Sequence, residues 1–218
     1  MTEDDWLTCP MLEDAIRLVA PKASERVLRL FAVACCRDHW ASLTDARSRG
    51  AVEAAEQFAD GLLGAAGLAA ARAQAEAAWH EAARQAWLVE AWANFRDTPE
   101  YRAAVAASAA ARAPLVATAA NLRLHGEWLF LPAIGLTALH DVFGNPFRPV
   151  WPDETWQTAT VTALAETIYA ERAFDRLPIL ADALEDAGCT DAAILDHCRG
   201  SGEHVRGCWV VDLALGKE

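Results

Sequence analysis

The stretch Ser24–Trp40, "SERVLRLFAVACCRDHW", decides the fold class. Val27, Leu28, Phe31, Ala34 and Cys35 recur at steps of three and four, which puts them on one face of a helix with ~3.6 residues per turn. Ser24 can cap the first free backbone N–H groups, and Pro21 breaks the chain just before it. The same period runs outward in both directions. "TDARSRGAVEAAEQFADG" (Thr44–Gly61) predicts a helix capped by Thr44 and stopped near Gly61. "TATVTALAETIYAERA" (Thr158–Ala173) carries a stripe of Val161, Leu164, Ile168 and Tyr169. "LPILADALEDAGC" (Leu177–Cys189) has Pro178 in its first turn and Gly188 at its end, and "TDAAILDHC" (Thr190–Cys198) predicts a short helix capped by Thr190. No apolar–polar alternation is sustained over five residues. The expected class is all-α, an irregular helical bundle with Phe31, Cys35, Leu180, Leu184, Trp209 and Leu213 in its core.

The middle of the chain is alanine-rich, and alanine is the strongest helix former. Trp79 and Trp87 share a face there, with Trp92 offset around the helix. Pro99 opens a second alanine-rich helix, so an antiparallel helical hairpin is expected, with the tryptophans along its seam. The expected organisation is one helical domain, 1–218. Within it, 1–64 plus 126–218 form a scaffold lobe and 65–125 the alanine-rich hairpin.

Composition restricts function. The chain has 218 residues, with 19 basic and 31 acidic, for a net charge of −12. Such a chain repels phosphate backbones and anionic lipid surfaces, so neither nucleic acid nor membrane is an expected partner, and protein is. The opening "MTEDDW" has no apolar run behind it, and the apolar stretch Trp128–Leu139 is short and interrupted by Pro132. A cytoplasmic location is expected, where cysteines stay as thiols. Oligomeric state is not legible.

Few constellations carry chemistry. Nucleophile elbows, phosphate-binding loops and dinucleotide fingerprints are missing, so no catalytic residue is assigned. The tail "HCRGSGEHVRGCW" (His197–Trp209) holds His204 and Cys208 at a spacing suited to one metal ion, and Cys35 and His39 form a similar pair on the first long helix. Cys35, His39, His204 and Cys208 are therefore the metal candidates, for zinc, with Cys189, His197 or Cys198 as possible completions. Adjacent His197 and Cys198 diverge by about 100° on a helix and cannot easily share an ion. The competing reading, preferred here, is buried thiols with His204 as a hydrogen-bonding clamp, and no cofactor. Arg199, His204 and Arg206 form a candidate anion patch. Three Asp–His neighbours occur, Asp38–His39, His140–Asp141 and Asp196–His197, but neighbours on a helix point apart, so none is a dyad by itself.

The stretches "FGNPFRPV", "ERAFDRLPILADALEDAGC" and "HVRGCWVVDLALGKE", with "KASERVLRLFAVACCRDHW" near the start, resemble a large paralogous family of planctomycete-type proteins. That family has no established function, so the resemblance implies no activity. It does imply that the alanine-rich middle is the variable region and that Cys198 is the least typical of the tail's polar residues. The expected function is a helical interaction or accessory module without catalysis. The alternative is a zinc-stabilised domain or a metal-assisted hydrolase centred on the tail histidines and cysteines.

Overall fold

The computed structural model describes residues 1–8, 12–38, 40–88, 123–124, 127–128 and 134–217. The fold is all-α. Its helices are α1 (Glu3–Leu7), α2 (Leu12–Val19), α3 (Glu25–Asp38), α4 (Ala46–Ala59), α5 (Ala65–Leu88), α6 (Ile134–Phe143), α7 (Ala159–Glu171), α8 (Leu177–Asp186), α9 (Ala192–Arg199) and α10 (Trp209–Leu215). One two-residue antiparallel ladder pairs Arg123–Leu124 with Glu127–Trp128, a contact too short to show as alternation in the sequence.

The chain divides into two compact units. One is Cys9–Gly135 with Met1; the other is Thr2–Thr8 with Leu136–Glu218. This differs from the expected lobes. In the first unit α4 packs against both α3 and α5, so the first alanine-rich helix shares a core with its N-terminal neighbours. The reason is steric. Ala51, Ala54 and Ala55 on α4 and Ala75 on α5 are buried, and such small faces let helix backbones approach closely. Val33, Cys36 and Val52 fill the remaining space. The second alanine-rich helix and Trp92 lie outside the described residues, as does the hairpin they would form. Trp79 is half-buried on α5.

The second unit is built on α7–α10. Val161, Ile168, Leu177, Leu180, Ile194, Val210 and Val211 are fully buried in one cluster, and the half-buried Trp209 and Leu213 pack against it. Phe31, Cys35, Leu180 and Leu184 are buried as expected, each within its own unit. The short α1 belongs to this unit. Its Trp6 is 1% exposed and its ring lies 5.0 Å from that of His140 on α6. His140 Nε2 donates to the Trp6 carbonyl at 3.1 Å, while Glu3 accepts from Asn145 at 2.8 Å and pairs with Arg148 at 2.6 Å.

Helix ends follow the sequence with one systematic shift. Ser24 caps α3, its Oγ accepting from Val27 N–H at 3.3 Å. At α4 and α9 the cap is the residue after the expected threonine. Asp45 accepts from Arg47 N–H, and Asp191 accepts from Ala193 and Ile194 N–H. A carboxylate binds the positive helix start more strongly than a hydroxyl does, so where the two compete in adjacent places the aspartate takes the position. Gly144, Gly188 and Gly216 end α6, α8 and α10 in left-handed conformation. Among the described residues no helix is long and apolar enough to cross a membrane.

Candidate functional site

The tail that ends the chain folds back on α6. Gly200 closes α9 and the chain crosses a polar loop. Val205–Cys208 then forms a tight turn in which Cys208 N–H donates to the Val205 carbonyl at 3.0 Å. Gly207, the third residue of that turn, has φ +95°, a value that favours glycine. The turn sets His204 at its entrance and Cys208 at its exit, where Cys208 starts α10. Asp141 comes from the last turn of α6, and His197 from the last turn of α9.

These four side chains converge. Asp141 Oδ1 lies 2.6 Å from His204 Nδ1 and 3.0 Å from His197 Nε2. His197 Nε2 is also 3.3 Å from Cys208 Sγ, which is 4.0 Å from His204 Nδ1. Asp141 Oδ2 accepts from Val205 N–H at 2.8 Å, tying α6 to the turn. One ligand atom from each of the four residues lies within 4.8 Å of all the others, so the group could hold a metal ion. A carboxylate only accepts, so Asp141 calls for a proton on His204 Nδ1 in the ion-free form. His204 Nε2 is then buried without a hydrogen-bond partner.

The site is largely closed to water. The side chains of Asp141, His204 and His197 are 3%, 8% and 20% exposed, and Cys208 is fully buried. Burial pushes the Asp141 carboxyl up, but the hydrogen bonds of His197 and His204, the charge of His204 and the Val205 N–H outweigh it. Asp141 is held below the ordinary carboxylate range. Burial and the Asp141 charge push the Cys208 thiol well above its ordinary range, opposed by the neighbouring Val211 and Val210 backbone amides. A ring ladder flanks the cluster. The His197 ring stands 4.9 Å from His204, edge-on, and 5.2 Å from Trp209.

Of the metal candidates read from the sequence, the fold brings His204 and Cys208 together. Cys35 is not a member of the cluster. It is buried in the N-terminal unit, where burial first and Asp38 second push its thiol up to about 12. His39 lies outside the described residues. The other two members are His197, named only as a completion, and Asp141, which sequence reading passed over. His140 and Asp141 do point apart, one toward Trp6 and one into the cluster. One signal for Asp141 was present: it stands among Ala138, Leu139 and Val142, all buried, so a carboxylate there has to find internal partners. Cys198 is also buried and stays outside the group, with burial pushing its thiol up to about 12.

The anion-patch candidates are each engaged elsewhere. Arg199 pairs with Asp182 at 2.8 Å and with Glu185. Arg206 donates to the Tyr169 carbonyl at 3.0 Å and stacks over its ring at 4.7 Å. His204 is held by Asp141.

Comparison of the chain with protein-family models, with curated proteins and with solved structures finds no match.

Proposed function

We propose that the protein is a non-catalytic helical interaction or accessory module whose C-terminal unit is a scaffold locked by the Asp141 cluster. One observation carries this reading. Both oxygens of Asp141 are taken up by groups of its own unit, His197, His204 and Val205 N–H, inside a site that is 3% exposed at its centre. A general acid or base needs a face free for substrate. Here the carboxylate instead joins α6, α9 and the turn before α10. Outside the cluster, the proline-rich segment after α6 carries Trp151, 78% exposed, which suits protein contact. The net charge of −12 favours a protein partner over nucleic acid or an anionic membrane.

The test pairs two measurements on the full chain. Hydrogen exchange of Asp141→Asn should show lost protection in α10 and the turn before it. Assays with chromogenic phosphoesters, esters and peptides, with divalent metals supplied, should show no turnover above buffer. Turnover that Asp141→Asn abolishes would replace this reading with a hydrolase.

A further inference from the structure

We infer that the cluster of Asp141, His197, His204 and Cys208 is a structural Zn²⁺ site, an inference that rests on the scaffold role just proposed. The geometry comes first. A tetrahedral zinc with bonds of about 2.0–2.1 Å to nitrogen or oxygen and about 2.3 Å to sulfur sets its ligand atoms about 3.3–3.7 Å apart. The four contacts here measure 2.6, 3.0, 3.3 and 4.0 Å, and all pairs fall within 4.8 Å. The distances bracket that range, so an ion would be admitted by opening the two short contacts to Asp141 and closing the longer one between Cys208 and His204.

The donor set selects the metal. Two imidazoles, one carboxylate and one thiol do not suit Mg²⁺ or Ca²⁺, which take oxygen shells. A single thiol is too few for an iron–sulfur cluster. Tetrahedral nitrogen and sulfur ligands favour Zn²⁺. Charge agrees. Zn²⁺ displaces the Cys208 proton, forming the Zn–S bond and releasing H⁺ to solvent, while the ring proton of His204 passes from Nδ1 to Nε2 and that of His197 from Nε2 to Nδ1, freeing both ligand lone pairs with the imidazoles still neutral. A carboxylate, a thiolate and two neutral imidazoles then balance the ion at zero net charge, which a buried site tolerates.

The surroundings hold the ligands in place. Val205 N–H fixes the second oxygen of Asp141 at 2.8 Å, and Cys208 is held in place as the residue that starts α10. Such outer contacts orient metal ligands and tune their affinity. Four protein donors complete the shell and leave no position for water, which marks a structural site over a catalytic one.

The experiment uses the purified full chain, stripped with chelator and titrated with Zn²⁺ alone and with Co²⁺ alone. One equivalent of each should bind. The Co²⁺ form should show intense tetrahedral visible bands and a sulfur-to-cobalt charge-transfer band. At about a hundredfold excess over Kd, Zn²⁺ should raise the melting temperature of the C-terminal unit by roughly 10–20 °C. Cys208→Ser should lose the charge-transfer band, while Cys198→Ala should keep both the band and the stoichiometry. If Cys208→Ser does not fold, His197→Ala, at the more exposed edge, should still fold and bind at least about tenfold more weakly. If wild type retains neither metal at micromolar concentration while Asp141→Asn still loses protection, the zinc site is wrong and the scaffold reading stands. If metal binds and supports turnover, the scaffold reading is wrong.

Discussion

Gly144 gives a quantitative test of how tightly α6 is fitted against the start of α10. It ends α6 at φ +61°, and a β-carbon built there would lie 3.3 Å from Cδ2 and Cγ of Trp209. Gly216 is a matched control in the same unit. It ends α10 at φ +62°, and its β-carbon would meet only Gln157 Nε2 at 3.6 Å, an ordinary contact. Alanine in the left-handed region costs about 1–2 kcal/mol, offset by about 0.4–1 kcal/mol from a stiffer unfolded chain. Gly216→Ala should therefore destabilise by about 1 kcal/mol. Gly144→Ala carries the same backbone cost and must also displace an indole, for which overpacking adds about 1–3 kcal/mol. The difference corresponds to roughly 5–20 °C in Tm for a unit of this size. Thermal melts of the full chain, with hydrogen exchange to localise the loss to α9 and α10, measure it. Because the Trp209 ring stands 5.2 Å from His197, Gly144→Ala should also weaken metal binding, whereas Gly216→Ala should not. Equal destabilisation by the two variants would refute the claimed fit.

Other outcomes are as definite. Ile168→Ala and Leu180→Ala, both fully buried in the C-terminal core, should each cost about 2–5 kcal/mol by urea melting. Trp6→Ala should cost about 3–5 kcal/mol and expose α1 to protease, since its indole is buried against His140. Cys35 should resist iodoacetamide in the folded protein and react once urea unfolds it, as read by mass spectrometry. Its folded pKa lies near 12 against an ordinary 9.0, so between these values the unfolded chain binds fewer protons and the thiol's contribution to stability falls as pH rises.

What could be read in the sequence was local. The stripe Val161, Ile168, Tyr169 and the stop at Gly188 depend on residues within a few turns of one another, and they appear where the periodicity puts them. The aspartate caps sit one place beyond the expected threonines because adjacent Thr–Asp pairs offer two oxygens, and the carboxylate is the stronger acceptor at the helix start. The pairing of His204 with Cys208 was legible because a single turn makes it. Asp141 was not, because its contact with His204 joins residues 63 apart in the chain. Spacing alone cannot encode such a meeting; it follows from how α6 packs. The pairing of the alanine-rich helix with α4 escaped notice for the same reason, since alanine faces advertise helix strongly and partner weakly.

The membership of α1 in the C-terminal unit bears on how the protein assembles. Trp6 meets His140 across 134 residues of chain, and Cys9–Gly135, the body of the N-terminal unit, is threaded, in sequence, between them. During synthesis Trp6 emerges early and has to wait, unburied, until α6 follows. Contacts of such long sequence separation form slowly, because loop closure has to be met before they stabilise anything. In the interval the indole is free to bind elsewhere. The segment Thr2–Thr8 is therefore a latecomer in the folding order although it precedes α6 in the chain, and a bulky fusion placed before it should slow the final step more than it lowers the final stability.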